Sequence, residues 1–266
     1  MALYFKTIRS SSSGNCLAIR TEQNQILVDC GFSSQKSCEY ALHEHLSKPS
    51  DVDAVVITHN HGDHISYSSL RIMEKYGIQV WIHEDSISQL IEKHFNGYRF
   101  QSLQVKLFSD SQFRVGNLSL QPIELPHQPG YPTYGYVIRY RERGRCYKVA
   151  VAGDFYDGSG LLEHLINADL VYVESNHDPH LLELYPNYNS RFHMNNPNTA
   201  QLLCDALSRS RRMPIAVILG HLSLQRNDEA IAINEVREAM IRWGRNWDCR
   251  IYIAPRYEAS RTITLI

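Results

Sequence analysis

Four metal-capable side chains fall within six residues, His59, His61, Asp63 and His64, in the stretch Ile57-Thr58-His59-Asn60-His61-Gly62-Asp63-His64-Ile65. Imidazole and carboxylate donors without a thiolate suit a divalent cation such as Zn or Mn, and some forms of Fe. The preceding run, Asp53-Ala54-Val55-Val56-Ile57-Thr58, is short, continuous and β-branched, so it reads as a buried strand with the histidines beginning where it ends. Alternation along extended backbone places His59 and His61 on one side, where they can share an ion. Gly62 is expected to let the chain turn sharply and bring Asp63 and His64 to a second position. Two ions fit this spacing better than one. A lone histidine among the thirteen in the chain would carry no such reading.

Three further apolar runs deliver a metal-capable residue at their ends: Leu125-Pro126-His127, Val151-Ala152-Gly153-Asp154 and Leu219-Gly220-His221. The allocation is His59, His61 and His127 on one ion, and Asp63, His64 and His221 on the other, with Asp154 bridging. Ile26-Leu27-Val28-Asp29 ends the same way, and Asp29 is expected to accept a hydrogen bond from a ligand histidine and orient it. Two ions about 3.5 to 4 Å apart share a hydroxide of depressed pKa and polarise a phosphoryl or carbonyl oxygen, which gives hydrolysis with that hydroxide as nucleophile. Asp63, His193 and His177 are taken as the catalytic side chains, His193 as proton donor to the leaving group or as a phosphate contact, with structural hydrogen bonding as the plain alternative for both histidines. Ser10-Ser11-Ser12-Ser13-Gly14-Asn15 reads either as a hairpin connection or as an anion nest, with Ser12, Ser13, Gly14 and Asn15 as substrate contacts.

These side chains need elements to position them. Leu3 to Ile8, Cys16 to Arg20 and Gln25 to Asp29 read as strands, and Ser34 to Leu46 as a helix. From Asp51 to Phe95 the pattern is strand, helix (Tyr67 to Tyr76, stopping at Gly77), strand (Ile78 to Ile82), helix (Asp85 to Phe95, capped by Asp85 or Ser86). Strands follow at Phe113 to Val115, Leu118 to Leu125, Tyr134 to Tyr140, Cys146 to Val151, Leu170 to Val173, Ile215 to Leu219 and Arg250 to Ile253. The helices between them are Ser159 to Ile166, Pro197 to Ser208 and Glu229 to Trp243. Two roughly similar halves of this kind predict an α/β fold of two facing sheets with helices outside.

With 266 residues, 43% hydrophobic and 21% charged, the chain can bury a large core, and a single domain over 1–266 is expected. A net charge of −1 gives no global field toward nucleic acid or anionic membrane. No transmembrane-length run or leader pattern is present, which predicts a soluble, cytoplasmic protein without membrane contact. Six scattered cysteines without a C-x-x-C pair read as reduced thiols, most of them small buried hydrophobes.

The order H-x-H-x-D-H, H, D, H resembles the metallo-β-lactamase superfamily over essentially the whole chain. Ser11-Ser12-Ser13-Gly14-Asn15-Cys16, Glu174-Ser175-Asn176-His177-Asp178 with Tyr185-Pro186, and Gly220-His221-Leu222-Ser223 resemble its YycJ (WalJ) branch. That resemblance implies a four-layer αβ/βα sandwich, two divalent metals, and 5′ to 3′ exonuclease action on DNA bearing a 5′-phosphate, with Asn195 among the substrate contacts. The chain departs from the branch at Phe192-His193-Met194-Asn195-Asn196 and at Asn227-Asp228. Arg139, Arg141, Arg143, Arg145 and Lys148, or Arg209, Arg211 and Arg212, are candidate phosphate contacts, and equally ordinary solvated surface. Tyr131, Tyr134, Tyr136 and Tyr185 are candidate base-stacking residues, although aromatics at strand positions more often pack in the core. A glyoxalase-II-like thioester or lactone hydrolase keeps the same ligand set and is the rival reading. A non-catalytic metal-binding domain is the third. Protein partners are not indicated by the sequence.

Overall fold

The computed structural model describes residues 2–46, 48–97, 99–244 and 249–266. Its strands are β1 (Leu3–Ser11), β2 (Gly14–Arg20), β3 (Gln25–Val28), β4 (Ala54–Val56), β5 (Gln79–His83), β6 (Val105–Phe108), β7 (Phe113–Val115), β8 (Leu118–Glu124), β9 (Tyr134–Glu142), β10 (Arg145–Ala152), β11 (Leu170–Glu174), β12 (Ala216–Gly220), β13 (Arg250–Ile253) and β14 (Ile263–Leu265). The helices are α1 (Gln35–His45), α2 (Tyr67–Tyr76), α3 (Ile87–His94), α4 (Leu162–Leu165), α5 (Pro179–Leu184), α6 (Asn196–Ser208) and α7 (Glu229–Arg242). Two mixed sheets of seven strands result, ordered β14-β1-β2-β3-β4-β5-β6 and β13-β12-β11-β10-β9-β8-β7.

Two compact units divide the chain: Met1–Pro122 with Tyr140–Arg143 and Pro255–Ile266, and Ile123–Arg139 with Gly144–Ala254. In the first, β3, β4, β5 and β6 run parallel, so the segments leaving β3 and β4 emerge at one edge of the sheet. Leu27, Val55, Ile57 and Val80 pack with Leu42, Leu70 and Met73 in its core. The helices follow their sequence signals. Ser34 and Ser66 cap α1 and α2 by accepting from the amides of Ser37 and Ser69, and Gly77 takes the left-handed conformation that ends α2. Glu39 of α1 pairs with Lys75 of α2 at 2.5 Å.

The second unit repeats the device. Strands β10, β11, β12 and β13 are parallel, with Ala152 opposite Val173 and Glu174 opposite Gly220, so their ends also gather at one edge. Val171, Val173, Val217 and Leu219 pack with Leu203, Leu207, Val236 and Met240. Asn195 and Asp228 are the N-caps of α6 and α7.

Several local expectations fail for identifiable reasons. The helix read over Ser159 to Ile166 is only Leu162–Leu165, because Asp157 accepts from both the amide and the hydroxyl of Ser159 and holds the preceding residues in a turn. A short 3-10 turn, Glu84–Ser86, precedes α3; Ser86 stands at the N-cap of α3 without a side-chain cap hydrogen bond, and the His83 ring accepts from the Asp85 amide. Strand β6 escaped the sequence reading because Lys106 and Leu107 are both exposed, which erases the period of two.

His94, near the end of α3, is 5% exposed, and its Nε2 has no hydrogen-bond partner among the described residues. Burial, with the Lys93 ammonium beside it, pushes this imidazole from the ordinary 6.5 down to about 4. An unfolded chain therefore takes up more protons below the ordinary value. Stability contributed by neutral His94 is complete above about pH 6.5 and is expected to be lost as pH falls toward about 4. Denaturant unfolding of the parent and His94→Gln across that window checks the sign: the parent should lose more stability on acidification than the variant.

Candidate metal centre

In the first unit the segments leaving β3 and β4 build a chain of hydrogen bonds. Asp29, just past β3, is 4% exposed and holds a left-handed backbone at φ 60°, an uncommon conformation for a non-glycine residue. Its Oδ1 accepts from the Thr58 amide at 2.8 Å, and its Oδ2 from the Thr58 hydroxyl at 2.8 Å and His64 Nδ1 at 2.7 Å. The Thr58 hydroxyl, having donated to Asp29, accepts from His59 Nδ1 at 3.0 Å. Both histidines thus carry their proton on Nδ1 and keep the Nε2 lone pair, the tautomer a cation requires. His59 Nε2 stands 3.0 Å from His61 Nδ1, and His64 Nε2 is 3.5 Å from Asp63 Oδ2. Burial raises the Asp29 carboxyl above its usual range, with the His64 charge and hydrogen bond opposing.

Which glycine matters differs from the sequence expectation. Gly62 does not occupy the left-handed region, and a Cβ there would meet nothing within 4 Å. The turn closes through the His64 and Ile65 amides, both donating to the His61 carbonyl. Gly31 is the constrained position, since its Cβ would lie 1.7 Å from the Asp63 carbonyl oxygen. Gly31→Ala is expected to cost at least about 1–3 kcal/mol from overpacking against backbone. It should also weaken metal uptake; equilibrium unfolding and metal titration of the variant check both.

Asn15 belongs to the same loop. Its amide donates to Asp63 Oδ2 at 3.1 Å and lies 3.0 Å from His64 Nε2, while its Oδ1 accepts from the Ser11 amide. Ser12 and Ser13 form the exposed hairpin turn, and Gly14 is buried at the start of β2.

In the second unit Asp154, Glu174 and His221 come from the ends of adjacent parallel strands. Glu174 is fully buried. Its Oε1 accepts from His193 Nδ1 at 2.5 Å and His221 Nδ1 at 3.0 Å; its Oε2 accepts from the amides of Phe155 at 3.0 Å and Met194 at 3.2 Å. His221 Nδ1 also lies 3.0 Å from Asp154 Oδ1, and His221 holds φ 52°. His127 donates from Nδ1 to the Phe192 carbonyl at 2.9 Å, leaving Nε2 on the side of Asp154 Oδ2, 3.9 Å away. Ligand atoms of Asp154, Glu174, His193 and His221 all lie within 4.8 Å of one another. Nitrogen and carboxylate oxygen donors of this kind fit a borderline divalent cation.

Burial alone would push His193 down, but the Glu174 charge and hydrogen bond prevail and hold the imidazole above its usual range. Glu174 is correspondingly lowered, His193 overcoming the effect of burial. His177 is 6% exposed, its Nδ1 has no partner among the described residues, and burial lowers it. Asn195 uses its side-chain oxygen to cap α6. Glu174, to which the sequence reading gave no role, is the organising carboxylate of this unit.

Among the candidate phosphate contacts, Arg209 pairs with Glu163 and Arg212 with Asp169. Tyr134 and Tyr136 are buried in β9, whereas Tyr185 is exposed.

A Beta-lactamase superfamily domain model matches residues 24–215, and the chain belongs to that superfamily: it is a metal-dependent hydrolase of the metallo-β-lactamase fold. It is 25% identical over 262 residues to Exodeoxyribonuclease WalJ of Streptococcus pneumoniae serotype 2, covering 93% of each chain. Identity to Exodeoxyribonuclease YycJ of Bacillus anthracis is 26% over 250 residues, covering 90% of each. The crystal structure of the metallo-β-lactamase fold protein YhfI from Bacillus subtilis matches with a TM-score of 0.74 at 17% identity, covering 99% of this chain and 100% of that one. The expected α/β sandwich class is thereby established. Among the described residues no helix is long and apolar enough to cross a membrane.

Proposed function

We propose that residues 1–266 act as one domain, a dinuclear phosphodiesterase that degrades DNA from a 5′-phosphorylated end in the cytoplasm, with DNA as a transient partner. His59, His61 and His127 would hold one Zn or Mn ion and Asp63, His64 and His221 the other, with Asp154 bridging. When bound, such a pair supplies activated water and neutralises charge on a phosphoryl group. Thr58, Asp29 and the Phe192 carbonyl fix the tautomers of His59, His64 and His127, and Asp63 would orient the water that the metal pair activates.

The observation that carries this reading is the Glu174–His193 pair, 2.5 Å apart beside Asp154 and His221. A deoxyribose alkoxide is a poor leaving group and needs a proton. A thiolate, with a pKa near 8.5, leaves without one. A buried imidazole whose proton affinity is raised by a carboxylate therefore favours phosphodiester over thioester cleavage. The segment leading to His193 also exposes Tyr185 and Tyr188, with Arg191 3.6 Å above the Tyr188 ring, a surface on which bases can stack. The names of the WalJ and YycJ relatives support DNA as the polymer.

A substrate panel tests the reading. The metal-loaded protein should hydrolyse DNA with rates that fall steeply as salt rises, because phosphate contacts release counterions. Turnover of a thioester or lactone with no action on DNA would replace this reading by the small-ester one.

A further inference from the structure

The β1–β2 hairpin has two ends. Asn15, near its turn, contacts Asp63 and His64. Its open end carries Tyr4 and Lys6 on β1 and Arg20 on β2, with Gln25 at the start of β3. The register pairs Tyr4 with Arg20 and Arg20 with Gln25, so these three form one row across three strands. Together with Lys6, His45 and Thr262 they line a cavity of about 130 Å³. From Tyr4 to Ser10, which pairs with Asn15, six steps of roughly 3.3 Å put this cavity roughly 20 Å from the histidine loop.

Its polar groups are matched to one kind of ligand. Lys6 and Arg20 bring positive charge, Thr262 a hydroxyl, and no carboxylate is among the described lining residues. The Arg20 guanidinium lies 4.6 Å from the Tyr4 ring centroid, a cation–π contact that restrains it beside the cavity. Among the described residues Lys6 donates once, to the His45 carbonyl at 3.4 Å, and an ammonium has three protons to give. Gln25 is 5% exposed, yet its Nε2 has no acceptor among the described residues. A buried amide left in that state costs about 1–3 kcal/mol. That nitrogen is itself closed to solvent, so the two cations that line the cavity, Lys6 and Arg20, are what select an anion. The volume lies below the roughly 300 Å³ at which pockets for drug-sized molecules begin, so the group taken inside is small.

We infer that this cavity binds an oxyanion of the phosphate class, either inorganic phosphate or the terminal group of a phosphomonoester whose remainder stays in solvent. The site is separate from the metal centre and does not depend on the proposed nuclease activity. Its test is a titration of the zinc-loaded full chain at constant ionic strength, following the Gln25 side-chain amide by NMR, with Gln25→Leu identifying the resonance. Sodium phosphate should shift that resonance saturably. Arg20→Ala should weaken the response by at least about tenfold, the weight of one charge-assisted hydrogen bond, and Lys6→Gln provides a second variant should Arg20→Ala fold poorly. A deoxynucleoside monophosphate that shifts the resonance identical in sense to phosphate marks a phosphomonoester site; response to phosphate alone marks an inorganic phosphate site. An unmoved Gln25 amide at saturating phosphate, or a response unchanged by both Arg20→Ala and Lys6→Gln, overturns the inference.

Discussion

Asp154→Asn is expected to lower DNA turnover by more than about 100-fold, because even the groups that only orient metal-holding histidines are worth 10- to 100-fold. Asp154 is 2% exposed, with His221 Nδ1 at 3.0 Å from one carboxylate oxygen and His127 Nε2 at 3.9 Å from the other. In the proposed arrangement it is the single carboxylate common to both ligand sets. Asparagine keeps the volume and removes the charge, so the loss should appear together in bound metal and in rate. Elemental analysis of the purified variant separates this from misfolding: a folded chain with full metal content and parental turnover would remove Asp154 from the centre.

His193→Ala should give the opposite division, with turnover lost and metal kept. General acid catalysis is typically worth about 10² to 10⁴-fold, and that is the expected fall on DNA. His193 is held by Glu174 and not by the residues allocated to the ions, so metal content should stay near the parental value. Leaving-group dependence distinguishes proton donation from a structural role. A nitrophenyl phosphodiester, whose phenolate leaves without a proton, should lose much less rate than DNA does. Equal losses on both substrates would mean that His193 positions the substrate or the loop and donates no proton. Glu174→Gln should instead lower turnover and bound metal together, because Glu174 also holds His221, and it should destabilise the fold: breaking a buried charge pair costs about 3–5 kcal/mol, and the amide would turn a donor toward donors.

The parts of the molecule that were legible in the sequence are those in which local pattern and burial agree. The continuous β-branched run before His59 is β4, and Ser34 and Gly77 mark helix ends where the chain obeys them. Two elements left no periodic trace: α5 has no buried residue, and β14, in which Leu265 is buried, is only three residues that pair with Leu3 to Phe5 at the other end of the chain. The apolar pattern of β11 stops at Val173, one residue before Glu174, so the carboxylate that holds His193 and His221 carries only the apolar-to-polar signal that Asp29 carries after Val28. Gly31 was invisible for a different reason. Its constraint is the Asp63 carbonyl, a contact between segments 32 positions apart that no local pattern encodes.

The most direct test of the central claim is degradation of a 5′-phosphorylated linear duplex by the protein reconstituted with Mn or Zn, with Asp154→Asn as the control for contaminating nuclease. Progressive shortening from the 5′ end, present with the parent and absent with the variant, is the predicted result. An intact duplex after reconstitution, or equal degradation by both proteins, would contradict it.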